Sequence, residues 1–399
     1  MKVVVMGLGY IGLPTAAVIA DKGIEVLGVD LNPTVVDTTN SGKIHIVEPE
    51  LDNVVKRVIE SGQMKASLKP EEGDVFLIVV PTPFRLNHRP DISYIESATY
   101  AVIPFLKEEN LFIIESTSPV GTTEKMAELI VKERPDLKGK IQIAYCPERV
   151  LPGNVIYELE HNDRVIGGIN NESTQKAISF YQLFVKGNLH PTNTRTAEMC
   201  KLTENSSRDV QIAFANELSM ICDIAGINVW KLIELANKHP RVNILQPGCG
   251  VGGHCIAVDP WFIVSDFTEQ AQIIKRSRET NDYKSDWCAK KTLEACQEFE
   301  NKTGREPIVA CMGLAFKPDI DDLRESPAKY ITSRIISEAR AEVLVVEPNV
   351  ESHKSFNLLN YHEAYSKSDI VVWLVRHKQF LSIISQEEKI ELDFCGVRE

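Results

Sequence analysis

Six residues near the start of the chain constrain its fold more than any other stretch: Gly7-Leu-Gly9-Tyr-Ile-Gly12. An apolar β-branched run, Lys2 to Met6, leads into them, and an apolar-periodic stretch from Leu13 to Lys22 follows and is closed by Gly23. That order reads as strand, glycine turn and helix. A second apolar run, Glu25 to Val29, ends on Asp30, eighteen residues beyond Gly12. A carboxylate there can bond the adenosine ribose hydroxyls while the helix start receives the pyrophosphate. Gly7, Gly9, Gly12 and Asp30 therefore predict dinucleotide binding. Asp30 would repel a 2′-phosphate and no neighbouring Arg would attract one, which favours NAD over NADP. The competing reading is a Rossmann variant that binds no phosphate.

Alternation continues through the helix Glu50 to Glu60, the strand Asp74 to Val80, the helix Ser93 to Lys107 and the strand Leu111 to Glu115. The helix Thr122 to Arg134, the strand Ile141 to Tyr145, the strand Asp163 to Gly168 and the helix Ser173 to Val185 complete a doubly wound pattern. Polar residues stand directly after the strands, at Thr82, at Ser116 to Ser118, and at Glu148 and Arg149. Ligands of open parallel sheets lie beyond the carboxyl ends of the strands, so these loops are expected to face the nicotinamide. Helix capping accounts for Ser93 and Thr122, and less readily for Thr117 and Glu148.

From Thr194 to Ala225 the chain reads as one long helix with Glu198, Lys201, Asn205 and Arg208 on one face. A solvated salt-bridge face is the plain interpretation. The apolar Met199, Leu202, Ile212, Phe214, Leu218 and Ile221 on the same helix suggest an interface instead, where a Lys can act as a fixed cation. A second helix, Asn228 to Lys238, leads through His239-Pro-Arg241 to the loop Gln246-Pro-Gly-Cys249-Gly-Val-Gly-Gly253-His-Cys255-Ile-Ala-Val-Asp259-Pro260. Four glycines allow close backbone approach to a ligand and leave Cys255 able to act as a nucleophile. A tight interhelical turn with a buried thiol is the alternative. Another long helix, Ala271 to Asn301, follows, and two long helices of this kind commonly build a dimer interface.

Beyond Thr303 the strands Pro307 to Met312, Glu342 to Glu347, Ile370 to Val375 and Ile390 to Phe394 announce a second α/β sheet without the complete glycine motif. Lys317 and Arg324 after its first strand could bind phosphate or simply pair with Asp319, Asp321 and Asp322. The expected architecture is α/β: two doubly wound Rossmann-like domains, 1–190 and 304–399, joined by a central long-helix dimerisation domain, 191–303. A net charge of −12 argues against a nucleic-acid surface, so an anionic small molecule needs local basic groups. No apolar run reaches membrane-spanning length and no signal-peptide pattern opens the chain. Nine cysteines without a CxxC pair indicate neither a metal site nor a disulfide framework, and suit a cytoplasmic setting.

Five motifs taken together resemble the UDP-glucose/GDP-mannose dehydrogenase family, whose members oxidise the C6 alcohol of a nucleotide sugar to the acid. They are Gly7 to Gly12, Glu115-Ser-Thr-Ser-Pro-Val-Gly-Thr122, Glu198-Met-Cys-Lys201-Leu-Thr-Glu-Asn205, the Cys255 loop and Gly313-Leu-Ala-Phe316-Lys317. Further stretches, Cys146 to Gly153, Asn162 to Gly168, His239 to Gly248 and His254 to Phe262, resemble the branch acting on UDP-N-acetyl-D-mannosamine. UDP-glucose enzymes typically carry Phe after the cysteine and Lys before the aspartate, where Ile256 and Val258 stand here. Cys249 occupies a position where that branch commonly has proline, and as a second nearby thiol it could confuse labelling of Cys255.

The resemblance implies a homodimer or higher homo-oligomer, with NAD as cofactor and a UDP-sugar as substrate. Cys255 would attack the aldehyde formed by the first hydride loss, and the thiohemiacetal would lose a second hydride to give a thioester. Lys201, Asn205 and Asp259 would manage the alcohol proton and the oxyanions, and Glu148, Asp259 and Thr117 the hydrolytic water. Tyr10, Ile11, Asp30, Thr82, Thr117 and Arg324 match cofactor contacts. Arg149, Val150, Lys201, Asn205, Arg208, His239, Arg241, Gly253, Phe316 and Lys317 match positions around the UDP-sugar, with Arg241 acting across the dimer. Two rivals stand beside this reading: a two-electron β-hydroxyacid dehydrogenase, which would need neither Cys255 nor a third domain, and a non-catalytic NAD-responsive binding protein. UDP-N-acetylglucosamine and UDP-glucose are the alternative substrates.

Overall fold

The computed structural model describes residues 1–83, 89–150, 153–253 and 255–399. Leu151 and Pro152 of the Cys146–Gly153 motif, and His254 of the cysteine loop, thus lie outside the described residues. The chain forms two compact units, Met1–Glu204 and Asn205–Glu399.

In the first unit β1 (Lys2–Met6), β2 (Glu25–Val29), β3 (Met64–Ser67), β4 (Val75–Ile78), β5 (Leu111–Ile114), β6 (Gln142–Tyr145), β7 (Arg164–Gly168) and β8 (Leu189–Asn193) make one sheet. Its order is β3-β2-β1-β4-β5-β6-β7-β8. Val3 and Val5 of β1 pack on one face with Leu13 and Ile19, while Val4 and Met6 pack on the other with Phe76 and Ile114. Burial on both faces is why these strands read as unbroken apolar runs. β1 pairs with β2 on one side and β4 on the other, so the switch point opens beside the glycine turn. The β6–β7 pair runs antiparallel, the one departure from the expected parallel winding among the described strands.

The second unit contains a parallel sheet of β9 (Ile308–Met312), β10 (Glu342–Val346), β11 (Ile370–Trp373) and β12 (Ile390–Asp393), ordered β10-β9-β11-β12. The helix Thr194–Ala225 passes through the division between units, and its later turns pack with the helix Gln272–Thr303. Buried polar bonds join that pair: Arg278 Nη1 to Asp209 Oδ1 at 2.7 Å, Asn281 Nδ2 to Asp209 Oδ1 at 2.8 Å, and Asn216 Nδ2 to Asn281 Oδ1 at 2.9 Å. Although the helix Gln272–Thr303 is rich in Lys, Arg and Glu, Arg278 and Lys284 on it are buried. Each finds a partner, Lys284 Nζ donating to Ser219 Oγ at 2.8 Å and standing 3.9 Å over the Trp287 ring.

Pattern reading passes over β3, the edge strand β8 and the short helices Pro33–Asn40, Val155–His161, Asp259–Asp266 and Tyr361–Lys367. β8 is Leu-His-Pro-Thr-Asn and partly exposed along its length, so no apolar run marks it.

Candidate active site

Within the first unit the glycine turn closes as the motif requires. A Cβ at Gly12 would lie 1.9 Å from the Gly7 carbonyl oxygen, so the helix Gly12–Asp21 begins against bare backbone. A Cβ at Gly9 would meet nothing within 4 Å, so the turn is open where the helix amides begin. Asp30 sits at the end of β2, its Oδ2 accepting from Leu8 N at 3.0 Å and its Oδ1 from Asn32 N at 2.9 Å. Tyr10 is half-buried and donates its hydroxyl to the Val47 carbonyl at 3.1 Å; Ile11 precedes the helix. Thr82 Oγ1 donates to the Thr117 carbonyl at 2.7 Å, tying the loop after β4 to the loop after β5. Open backbone, helix amides and a fixed carboxylate beside one switch point suit a dinucleotide.

Glu148 follows β6 and is buried, its Oε2 3.1 Å from Arg164 Nη2 and its Oε1 accepting from Arg149 N at 2.6 Å. Behind it Tyr181 donates to Glu115 at 2.5 Å, and Arg164 lies 5.1 Å from the Tyr181 ring centre. Burial pushes the Glu115 carboxyl up to about 7 despite the opposing Arg164 charge, and burial pushes the Cys146 thiol up to about 12. Cys146 is therefore an inert thiol at neutral pH. Arg149 pairs with Glu204 at 2.7 Å and donates to the Asp163 carbonyl at 3.1 Å, with Val150 packed on the core beside it.

The helix bearing Glu198, Lys201, Asn205 and Arg208 divides its labour. Glu198 is fully buried and accepts from Gly121 N at 2.6 Å, Thr123 N at 2.8 Å and Thr123 Oγ1 at 2.7 Å. It anchors the start of the helix Thr122–Glu133, where a carboxylate meets unpaired amides. Lys201 is half-buried and Arg208 exposed, and neither forms an ion pair among the described residues.

Within the second unit, Asn205 Nδ2 donates to Asp259 Oδ2 at 2.5 Å. Asp259 is 4% exposed and opens the helix Asp259–Asp266; its N–H and that of the preceding Val258 donate to the Cys255 carbonyl at 2.8 and 3.0 Å. Of the nine cysteines, Cys255 is the exposed one. Gly253 has φ +82° and donates its N–H to the Arg324 carbonyl at 3.1 Å; its ideal Cβ would stand 2.8 Å from the Phe316 ring. Phe316 thus packs directly on the loop that carries Cys255.

The choice between phosphate and carboxylate partners for the two basic residues splits. Arg324 binds Asp322 through Nε at 3.0 Å and Nη2 at 2.7 Å, whereas Lys317 is exposed and forms no ion pair among the described residues. His239 and Arg241 are exposed, linked by Arg241 N donating to His239 Nδ1 at 3.3 Å. Cys249 is 5% exposed, its thiol donating to the Leu374 carbonyl at 3.3 Å, so it is shielded from the labelling interference its position suggests. Sequence reasoning passed over Glu48, which is buried and accepts from Gly153 N at 2.9 Å and Val155 N at 2.8 Å, and over Arg164 as a charged residue. An arginine at the head of an apolar strand was the available signal for Arg164; Glu48 had none.

Comparison with known proteins adds independent findings. Residues 1–185 match the NAD binding domain of the UDP-glucose/GDP-mannose dehydrogenase family, 195–283 its central domain and 310–395 its UDP binding domain. A UDP-N-acetyl-D-mannosamine dehydrogenase of Campylobacter jejuni is 53% identical over 99% of both chains. An NDP-N-acetyl-D-galactosaminuronic acid dehydrogenase of Ralstonia nicotianae is also 53% identical, over 98% of this chain and 95% of its own. Among solved structures, a UDP-D-ManNAc dehydrogenase from Pyrococcus horikoshii superposes with a TM-score of 0.91 at 38% identity, covering 100% of this chain and 96% of that one.

Proposed function

The chain belongs to the UDP-glucose/GDP-mannose dehydrogenase family, and from that premise we propose that it oxidises UDP-N-acetyl-D-mannosamine at C6 to UDP-N-acetyl-D-mannosaminuronate, supplying a cell-surface polysaccharide precursor. It is an NAD-dependent enzyme. NAD held by the Gly7–Gly12 turn and Asp30 would supply the hydride acceptor, one molecule for each of the two oxidations.

The observation that carries the covalent mechanism is the contrast among thiols: Cys255 is exposed on a glycine-rich loop, while Cys249 six residues earlier is buried. In the proposal Asp259, held by the Asn205 amide, receives the alcohol proton through ordered water, with Lys201 sharing the role the family motifs give it. The Cys255 sulfur then bonds the aldehyde carbon, and the adduct loses a proton as it becomes the thioester. Water adds to the thioester carbonyl, the carbon–sulfur bond breaks, and the acid leaves with the thiol restored. Lys201 and Asn205 steady the oxyanions, and Glu148 and Thr117 direct the water, in the roles the family motifs give them. Glu148 is suited to this by its fixed setting at the end of β6.

The same reading takes 1–190, 191–303 and 304–399 as three domains, and a homodimer in the cytoplasm as the working form. Exposed Phe214, Ile221, Ile224 and Ile273 on the two long helices support dimerisation. Among the described residues no helix is long and apolar enough to cross a membrane.

A second substrate deserves equal testing because the Ralstonia relative, named for N-acetylgalactosaminuronic acid, is just as similar. NADH formation is measured with UDP-N-acetylmannosamine, UDP-N-acetylgalactosamine, UDP-N-acetylglucosamine, UDP-glucose and GDP-mannose. Preference for the first, with two NADH per sugar, is expected; preference for any other overturns the substrate. Cys255→Ser is expected to stop acid formation while NAD still binds, and undiminished double oxidation would sink the covalent route.

A further inference from the structure

In the second unit the segment that presents Phe316 and Lys317 is held by a carboxylate and an imidazole outside every motif. Glu347 follows β10 and is 3% exposed. Its Oε2 accepts from Leu314 N and Ala315 N, both at 2.8 Å, and its Oε1 accepts from Asn349 N at 3.0 Å. His377, fully buried, places Nε2 3.1 Å from Glu347 Oε2. Its Nδ1 faces two donors, Asp319 N at 2.9 Å and Asn349 Nδ2 at 3.0 Å. Two donors require a lone pair at Nδ1, so the proton is assigned to Nε2 and points at Glu347. Burial works against the Glu347 charge, but the His377 bond and the backbone amides outweigh it and hold the carboxyl below its ordinary range.

The far end of the segment is also pinned. Asp319 has φ +61°, an uncommon conformation for a residue with a side chain, and its Oδ1 accepts from Lys378 N at 2.9 Å. Such a backbone persists where its surroundings over-determine it. The first unit uses a related device, Asp30 after β2 bonding the glycine-turn amide of Leu8. Glu347 differs in being buried and saturated by protein donors, so it orders the turn rather than offering itself to a ligand.

We propose that His377 is a positioning residue for UDP-sugar recognition, fixing both ends of the Leu314–Asp319 segment through Glu347 at one ring nitrogen and the Asp319 amide at the other. The proposal rests on the reading of Phe316 and Lys317 as substrate contacts. With the segment loosened, binding must first order it, which weakens substrate affinity without touching the reacting groups.

Two partial isosteres separate positioning from bulk stability. His377→Asn leaves an acceptor near the Nδ1 position, and His377→Gln leaves a donor near Nε2. In the full-length enzyme, His377→Gln should raise the UDP-sugar KM about tenfold with kcat within about twofold, because uniform binding is lost. The KM for NAD should stay unchanged and the Asp319 amide should exchange faster with deuterium. His377→Asn, which gives up the Nε2 bond to Glu347, should raise the UDP-sugar KM by a smaller factor, about threefold, because Glu347 still holds the Leu314 and Ala315 amides itself. Wild-type KM in His377→Gln, or equal damage to kcat and KM in both variants, overturns the proposal. Lys317→Ala, measured alongside, distinguishes the two levels. A raised KM there with wild-type behaviour of His377→Gln removes only the role of His377, whereas an unchanged KM in Lys317→Ala refutes the substrate reading of the segment and the proposal with it.

Discussion

Gly253→Ala tests whether the loop bearing Cys255 is held by contact with Phe316. The added methyl would lie 2.8 Å from one Phe316 ring carbon and 2.9 Å from another, on a backbone with φ +82°. A left-handed residue with a Cβ costs about 1–2 kcal/mol. Forcing a methyl into packed surroundings costs about 1–3 kcal/mol more, toward the lower end if the ring swings aside. The sum, about 2–5 kcal/mol, is read by equilibrium urea unfolding as a shift in midpoint. The same substitution should slow alkylation of Cys255 or quicken it, but not leave it unchanged, because the loop must move or the ring must. A double-mutant cycle with Phe316→Ala isolates the contact. If the methyl and ring collide, truncating the ring recovers at least about 1 kcal/mol of the Gly253→Ala penalty. Wild-type stability in Gly253→Ala, or a penalty unaffected by Phe316→Ala, would refute the packing argument.

Three further outcomes follow from the first unit. Glu115 holds its proton up to about 7 against an ordinary 4.5, so its contribution to stability is complete below about 4.5 and is lost as pH rises through about 7. Glu115→Gln has no proton to lose, and its stability should decline less between pH 5 and pH 8 than that of wild type, by about 1–3 kcal/mol in urea titrations at each pH; parallel curves would contradict the assignment. Glu198→Ala leaves the Gly121 and Thr123 donors buried without their acceptor and should cost about 2–4 kcal/mol, seen as a lowered melting temperature, with Glu198→Gln recovering part. Asp30→Ala frees the Leu8 amide and removes the ribose partner, so the KM for NAD should rise about tenfold or more while the UDP-sugar KM holds, as expected for loss of a charged hydrogen bond; an unchanged NAD KM would reject that role.

The lone exposed thiol also explains why a buried cysteine so close by is compatible with selective chemistry. Cys249 and Cys255 stand six residues apart on one glycine-rich loop. Cys249 points into the unit, where the neighbouring Cys288 and burial push the thiol well above its ordinary range. A thiol held in that form is a poor nucleophile.

Much of the fold was legible from residues alone because its signals are local. A glycine turn between an apolar strand and a helix, with Asp30 at a set distance, needs only neighbours in the chain to be recognised, and the helix Thr194–Ala225 announces itself by period. Motif order across the whole length led to the family, and Ile256 and Val258 pointed within it. The tertiary structure decided what each charged residue does, since that depends on groups far away in sequence. Glu198 shares a helix face with Lys201 and Asn205, yet it anchors the helix Thr122–Glu133 from seventy-seven residues beyond Gly121. Arg324 found Asp322, Lys317 remained exposed, and Glu347 and His377, unremarkable in the sequence, closed around the Leu314–Asp319 segment from thirty residues apart. Periodicity reports which side of an element is buried; the partner of a buried charge is set by topology, and no spacing along the chain encodes it.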